Sequence, residues 1–380
     1  MERNRLLLSR DISEAPMDLD FAGINKILTI RIDRIGDLLC TTPALKSLRA
    51  AMPAARLTLV SSPRNADVLR GWPGVNEHRI FDLSWSRKKK KGFADELRRC
   101  KFDLAIVFSS KTDAYYLAWK SGAPVRAGLV YTRRVLPRIL TPFWLTHTKL
   151  MGVEEALKRG AGIPHEVEQM LEIIKQIGIP SLDSPLDVPL NGADRQWARD
   201  LAVKYVGQSR LVGVHLSPKW LSEGWSTSDM CLLIDSLLKK MPACSFLLTF
   251  GPDDTETARE LSDQLDASLL PGAPDSIGSG GSIDRKKKRL VLAGGFPFGK
   301  WTALLSCCEA VISQDTGSLH LASALGLPVV AVYSRSNFAL NSAQWAPWKV
   351  PHRIVKMGEA VRTAQEILKA AGDLLPMKTD

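Results

Sequence analysis

Two short stretches gather the side chains that could do chemistry. The first is "RIDRIGDLLCTTPAL", Arg31 to Leu45, which sets Asp33, Arg34, Gly36 and Asp37 directly after a strand-like apolar run. A carboxylate exposed beside a glycine at the carboxyl end of a strand can act as a general base, taking the proton of an attacking hydroxyl. The same carboxylate can instead do no more than cap the following helix. Spacing alone weighs the two roles about equally and does not choose between Asp33 and Asp37. Thr41-Thr42-Pro43 fits the start of that helix, because threonine suits a cap and proline the first turn. No G-x-G-x-x-G follows the strand, so a dinucleotide fingerprint is absent.

The second stretch is "ISQDTGSLHLASALGLPVVAVYS", Ile312 to Ser334. It reads as strand, abrupt turn, short helix, strand. Backbone N–H groups of Thr316, Gly317 and Ser318 at the positive end of a helix suit a phosphate. Gly317 lets a phosphate approach the backbone, the Thr316 hydroxyl can add a donor, and His320 lies one turn further along. Asp315 would repel phosphate, and is expected to cap the helix and fix the turn. The structural alternative is a plain capped helix with a satisfied histidine. Two middle turns add candidates. "HLSPKWLSEGWS" offers Ser217 and Lys219 to an anion, and "FGPDDTE" offers Asp253, Asp254 and Glu256 to ribose hydroxyls. Asp18 and Asp20 form a D-x-D that follows no strand, and no metal site is read there.

Such turns need strands and helices to hold them. After a polar extension, residues 1–24, the pattern alternates: strand "KILTIRI", a helix marked by Leu45, Leu48 and Met52, strand "RLTLVSS", a short helix "NADVLRGW", strand "EHRIFDL", strand "FDLAIVFSS", helix "TDAYYLAWKSG". Residues 127–160, with Pro137 and Pro142, break the rhythm. After helix "HEVEQMLEIIKQIGI" a proline-bearing linker, "PSLDSPLDVPL", precedes a restart at "RLVGVHLS". Alternation of this kind predicts mostly parallel sheets with helices on both faces. The expectation is two Rossmann-like α/β domains in tandem, residues 25–180 and 181–358, each doubly wound. A Gly/Ser-rich insertion at 272–288 interrupts the second. A final helix, near 359–371 in a segment 359–380, carries one apolar face and needs something to pack on.

The bulk composition narrows the function. With 45% hydrophobic and 24% charged residues the chain is an ordinary globular protein. No signal peptide and no membrane-spanning run stands out, so the expected location is the cytoplasm. Six cysteines show no metal-ligand spacing, which fits free thiols in a reducing compartment. A net charge of +11, concentrated in "SRKKKKG" and "DRKKKR", points to an anionic partner: a phosphorylated glycan or an anionic lipid surface before a nucleic acid, for which no motif is present.

The motifs together resemble the ADP-heptose:lipopolysaccharide heptosyltransferases, glycosyltransferase family nine. The segment 27–69 is similar to that family's opening strand, G-D turn and T-x-P-A-L helix. "PVRAGL" and the helix after it resemble later segments of the first domain, and "SQDTGSLHLASALGLPVVAVYS" resembles the D-T-G-P-x-H-x-A donor motif, with Ser318 where proline is usual. The resemblance implies the GT-B fold, with the C-terminal helix crossing back onto the N-terminal domain, and an inverting glycosyltransferase without a metal or other cofactor. It implies Asp37 as catalytic base. Arg34, Gly36 and Arg126 fall on the acceptor side. Ser217, Lys219, Asp253, Asp315, Thr316, Gly317, Ser318 and His320 fall on the donor side. The implied partners are a nucleotide sugar and a lipopolysaccharide core, and the basic runs would favour a phosphorylated acceptor and peripheral contact at the cytoplasmic face of the inner membrane. One departure stands out: the family's K-x-W lysine position holds Glu223, and Lys219 is the candidate substitute. A sugar-nucleotide epimerase of the same fold, or a non-catalytic glycan- or membrane-binding homologue, are the alternatives.

Overall fold

The computed structural model describes residues 21–207, 209–251, 255–265, 268–269 and 289–375. The chain divides into two compact units, residues 1–184 and 185–380. Asp253 and Asp254, the insertion 272–288, the lysines of the second basic run, and Asp18 and Asp20 lie outside the described residues.

The first unit holds six strands: β1 (Lys26–Arg31), β2 (Arg56–Ser61), β3 (Glu77–Ile80), β4 (Leu104–Val107), β5 (Val125–Tyr131) and β6 (His147–Met151). They form one parallel sheet in the order β3-β2-β1-β4-β5-β6. β1 is central because "KILTIR" is buried on both faces. Its period of two sends Leu28 and Ile30 into the cluster with Phe93, Leu97, Tyr115 and Leu117 from helices Arg87–Arg99 and Thr112–Ser121. Thr29 and Arg31 therefore turn to the other face. Helix Ile35–Ala51 and helix Glu166–Lys175 pack together, and the latter supplies side chains to Arg31. The strand order reverses between β1 and β4. In open parallel sheets, that crevice at the carboxyl ends is where ligands bind.

The second unit repeats the plan with β7 (Arg210–Leu216), β8 (Cys244–Phe250), β9 (Ser268–Leu269), β10 (Leu290–Gly294), β11 (Ala310–Gln314), β12 (Val329–Tyr333) and β13 (His352–Lys356). The order is β13-β12-β11-β7-β8-β10-β9, again parallel. Its switch point lies between β7 and β11.

The final helix finds cover in its own unit, and two expectations change. The final helix, Ala360–Leu374, packs on helix Thr227–Lys240 and on β13, and its buried Ala364, Ile367, Ala370 and Ala371 belong to the core of the second unit. "NADVLRGW" forms successive turns with i to i+3 bonds, such as Val68 N–H to Asn65 O, rather than a helix. Asn65 directs its side chain to the backbone instead, accepting from Ser62 N–H and donating to Arg31 O. The first helix starts at Ile35, so Thr41-Thr42-Pro43 lies in its interior. Pro43 cannot donate to Leu39 O, and the Thr42 hydroxyl takes that place at 2.6 Å.

Candidate active site and anion cradle

At the first switch point Arg31 ends β1 with its side chain buried. Its guanidinium donates to Asp37 Oδ1 at 3.0 Å and to Glu166 Oε1 at 2.8 Å, and lies 3.6 Å from Asp33 Oδ2. It also donates to the carbonyl of Phe108, just past β4. Three carboxylates thus surround one cation. Burial opposes the guanidinium charge, but Asp37, Asp33 and Glu166 outweigh it and push the Arg31 pKa up. The opposite holds for the acids. Burial raises the Asp37 carboxyl above the usual range and the charge of Glu166 adds to it, against the pull of Arg31 and the Arg34 N–H. Burial and Asp37 raise Asp33 in the same way, against Arg31.

Asp37 sits in the first helical turn, and its Oδ2 accepts the Arg34 N–H at 3.0 Å. It therefore caps the helix and keeps a carboxylate 20% exposed. The structural and chemical roles coexist in one side chain. Arg34 is exposed beside it, and Gly36 is buried in the same turn.

Arg126 is elsewhere. It is the second residue of β5, at the amino end of the sheet, and its guanidinium donates to Trp144 O and Ala123 O. It holds local backbone and is not brought to Asp37. Arg31 and Glu166, in contrast, were not singled out from the sequence, although for Arg31 an arginine closing a mostly apolar strand was a visible signal.

At the second switch point the end of β7 meets the end of β11. The Ser217 hydroxyl donates to Gln314 Oε1 at 2.7 Å. The Lys219 ammonium donates to the Asp315 carbonyl and lies 3.3 Å from its Oδ2. Thr316 is the N-cap residue of helix Gly317–Ala324, yet its side chain does not cap, and the Asp315 carboxylate faces the Lys219 ammonium. The first N–H groups of a helix have no intrahelical acceptor. Ser318 is buried and its hydroxyl joins Ser313 at 2.6 Å and Thr316 at 2.7 Å, so these three hydroxyls brace the turn. Gly317 does not have a left-handed backbone. What glycine supplies there is the missing side chain. His320 is buried, its ring 5.8 Å from Trp345, edge-on. Glu223 is exposed just after the short helix that begins at Lys219.

The turn can therefore present backbone N–H groups and one ammonium to an anion. Lys219 offsets the Asp315 charge that would otherwise repel it. Among the described residues no group of three or more His, Cys, Asp or Glu side chains is arranged to hold a metal ion. In the first unit the Arg31 guanidinium fills the space among the carboxylates.

The model of glycosyltransferase family 9 (heptosyltransferase) matches residues 91–371. A Haemophilus influenzae protein named as a glycosyltransferase is 26% identical over 336 residues, covering 86% of each chain. Lipopolysaccharide heptosyltransferase 3 of Escherichia coli is 23% identical over 326 residues, covering 82% of this chain and 83% of its own. Among solved structures, the ADP-heptose LPS heptosyltransferase II of Escherichia coli superposes with a TM-score of 0.70 at 17% identity, over 93% of this chain and all of that one, a likeness of fold.

Proposed function

Since the chain belongs to glycosyltransferase family 9, we propose that it transfers a heptose, or a related sugar, from ADP-heptose to a hydroxyl of the lipopolysaccharide core, with inversion and without a metal cofactor. The observation that carries this reading is Asp37, a part-exposed carboxylate with a raised pKa, held by Arg31 and the Arg34 N–H at a switch point.

In the proposed step Asp37 takes the proton of the acceptor hydroxyl. The freed oxygen attacks the anomeric carbon from the face opposite the diphosphate. The bond from that carbon to the diphosphate oxygen breaks, and its electron pair leaves with ADP. Negative charge grows on the departing group, where Lys219 and the start of helix Gly317–Ala324 can meet it. Arg31 and Glu166 do not touch substrate in this scheme. They position Asp37 and set its basicity. The lipid anchor of such an acceptor puts the reaction at the cytoplasmic face of the inner membrane.

Calorimetry with ADP tests the cradle. Lys219→Met is expected to raise the Kd by about 10- to 100-fold, because a charge-assisted hydrogen bond is lost and Asp315 is left to repel the ligand. Gly317→Val is expected to weaken ADP by putting a branched side chain where phosphate meets the backbone, with little change in thermal stability. ADP affinity equal to the parent in both variants would place the donor elsewhere.

The positive charge a divalent ion would bring is supplied here by Lys219 and the helix start. EDTA is therefore expected to leave the transfer rate unchanged. Activity abolished by EDTA and restored by magnesium or manganese would overturn the metal-free scheme.

A further inference from the structure

Helix Val135–Trp144 in the first unit, "VLPRILTPFW", is amphipathic the wrong way round for a core helix. Its buried residues are Pro137 and Thr141. Val135, Leu136, Ile139 and Phe143 are 68%, 57%, 60% and 76% exposed. At helical spacing these four share one outward face. Helices of soluble domains turn that face inward, and a contiguous exposed apolar patch marks a surface that meets something.

The charges around the patch say what. The helix carries no acidic residue, while Arg134 and Arg138 are exposed on it and Lys149 is exposed on the neighbouring edge strand β6. Arg133 is paired with Glu154 and adds nothing. Next to the helix C-terminus, Trp144 stacks on Trp119 at 5.8 Å, and the Lys120 ammonium lies 3.9 Å over the Trp119 ring. Apolar side chains, indoles and cations arranged this way match a bilayer interface: acyl chains for the apolar face, headgroup depth for tryptophan, anionic headgroups for arginine. A second copy of the chain fits less well, because a twofold contact through this face would gather the unpaired positive charge of both copies, with no acidic residue on the helix to offset it.

We infer that the Val135–Trp144 helix docks the protein on an anionic lipid bilayer, lying in the interface with Ile139 and Phe143 inserted. Among the described residues no helix is long and apolar enough to cross a membrane, so this contact is peripheral. The first basic run contributes less than its charge suggests: Lys90 pairs with Asp113, Lys91 with Asp95, and Lys89 covers the Trp85 ring.

Co-sedimentation of the full chain with phosphatidylcholine vesicles, with and without phosphatidylglycerol, tests the inference, and ADP calorimetry on the same samples reads the donor site separately. The parent is expected to bind the anionic vesicles more tightly than the neutral ones. Ile139→Glu/Phe143→Glu should lower the partition by at least about tenfold, given the apolar surface withdrawn. Arg134→Ala/Arg138→Ala should cost about fivefold per arginine on anionic vesicles and nothing on neutral ones. All four side chains are exposed, so melting temperature and ADP affinity should stay at parental values. If the glutamate pair perturbs folding, Ile139→Ser/Phe143→Ser replaces it with the same expected direction. A parent that binds neither vesicle, or a folded double variant that binds as the parent does, overturns the inference. So does a dimeric parent whose double variant is a monomer, which would make the patch a protein interface.

Discussion

Asp37→Asn is expected to cut kcat about 10²–10⁴-fold, the usual share of a general base, while ADP still binds. In barrier terms that is roughly 2.7–5.5 kcal/mol. The structural loss is smaller. Asp37 accepts from both Arg31 and the Arg34 N–H, and an asparagine has one acceptor oxygen for the two. An unmade hydrogen bond of this kind costs about 1–3 kcal/mol, and removing one of three crowded carboxylates relieves part of it. The variant should therefore fold and be catalytically poor. Its pH behaviour is a second reading. The base must be deprotonated, so kcat/KM of the parent falls as pH drops through the folded pKa of Asp37, which burial and Glu166 hold above the ordinary aspartate range. Glu166→Gln removes one of those causes and should move the acid limb to lower pH. Near-parental turnover in folded Asp37→Asn would transfer the role to Asp33, which sits in the same cluster with a carboxyl raised for the same reason.

How much of this site was legible follows from sequence separation. Strands buried on both faces, such as β1, β4, β8 and β12, were, because they read as near-continuous apolar runs; β6 and β13, exposed along much of their length, carry no such run and were missed. The turn around Asp37 was, because a strand end and a glycine mark it locally. Pro43 misled the position of the helix start, because its usual place is a first turn and the compensating Thr42 hydroxyl cannot be seen without coordinates. Arg31 and Glu166 are 135 residues apart and meet only because β1 and helix Glu166–Lys175 share a face of the sheet. Lys219 and Asp315, 96 residues apart, meet because β7 and β11 are neighbours at the switch point. A pairing of that kind depends on strand order, which periodicity does not contain. The final helix shows the same limit. Its apolar stripe announced that it needed a partner but could not say which surface.

Arg31→Met is expected to destabilise the first unit strongly. Arg31 is one cation among Asp33, Asp37 and Glu166, so the cluster already carries an excess of negative charge. Methionine has similar length and would fill the space beside Met170, so packing is not the main loss. Removing the cation leaves three acids crowded at a buried strand end, and breaking a buried ion pair on one side costs about 3–5 kcal/mol. Against a typical stability of roughly 5–15 kcal/mol for a domain, that is a large fraction. For a domain of this size it corresponds to a fall of roughly 6–20 °C in melting temperature. The pH dependence has a definite sign. The folded pKa values of Asp33 and Asp37 lie above their unfolded ones. The stability that these groups contribute is therefore present in acid and is lost as pH rises through the folded values. Arg31 is the main group opposing that rise, so its removal lifts both folded values further. The deficit of Arg31→Met relative to the parent should be largest at neutral pH and shrink as Asp33 and Asp37 take up protons. Urea melts of both proteins across the mildly acidic to neutral range measure it, and Arg31→Met/Glu166→Gln should recover part of the loss. Parental stability at neutral pH, or a deficit that grows toward acid, would mean that the guanidinium is not the counter-charge that holds Asp37 in place.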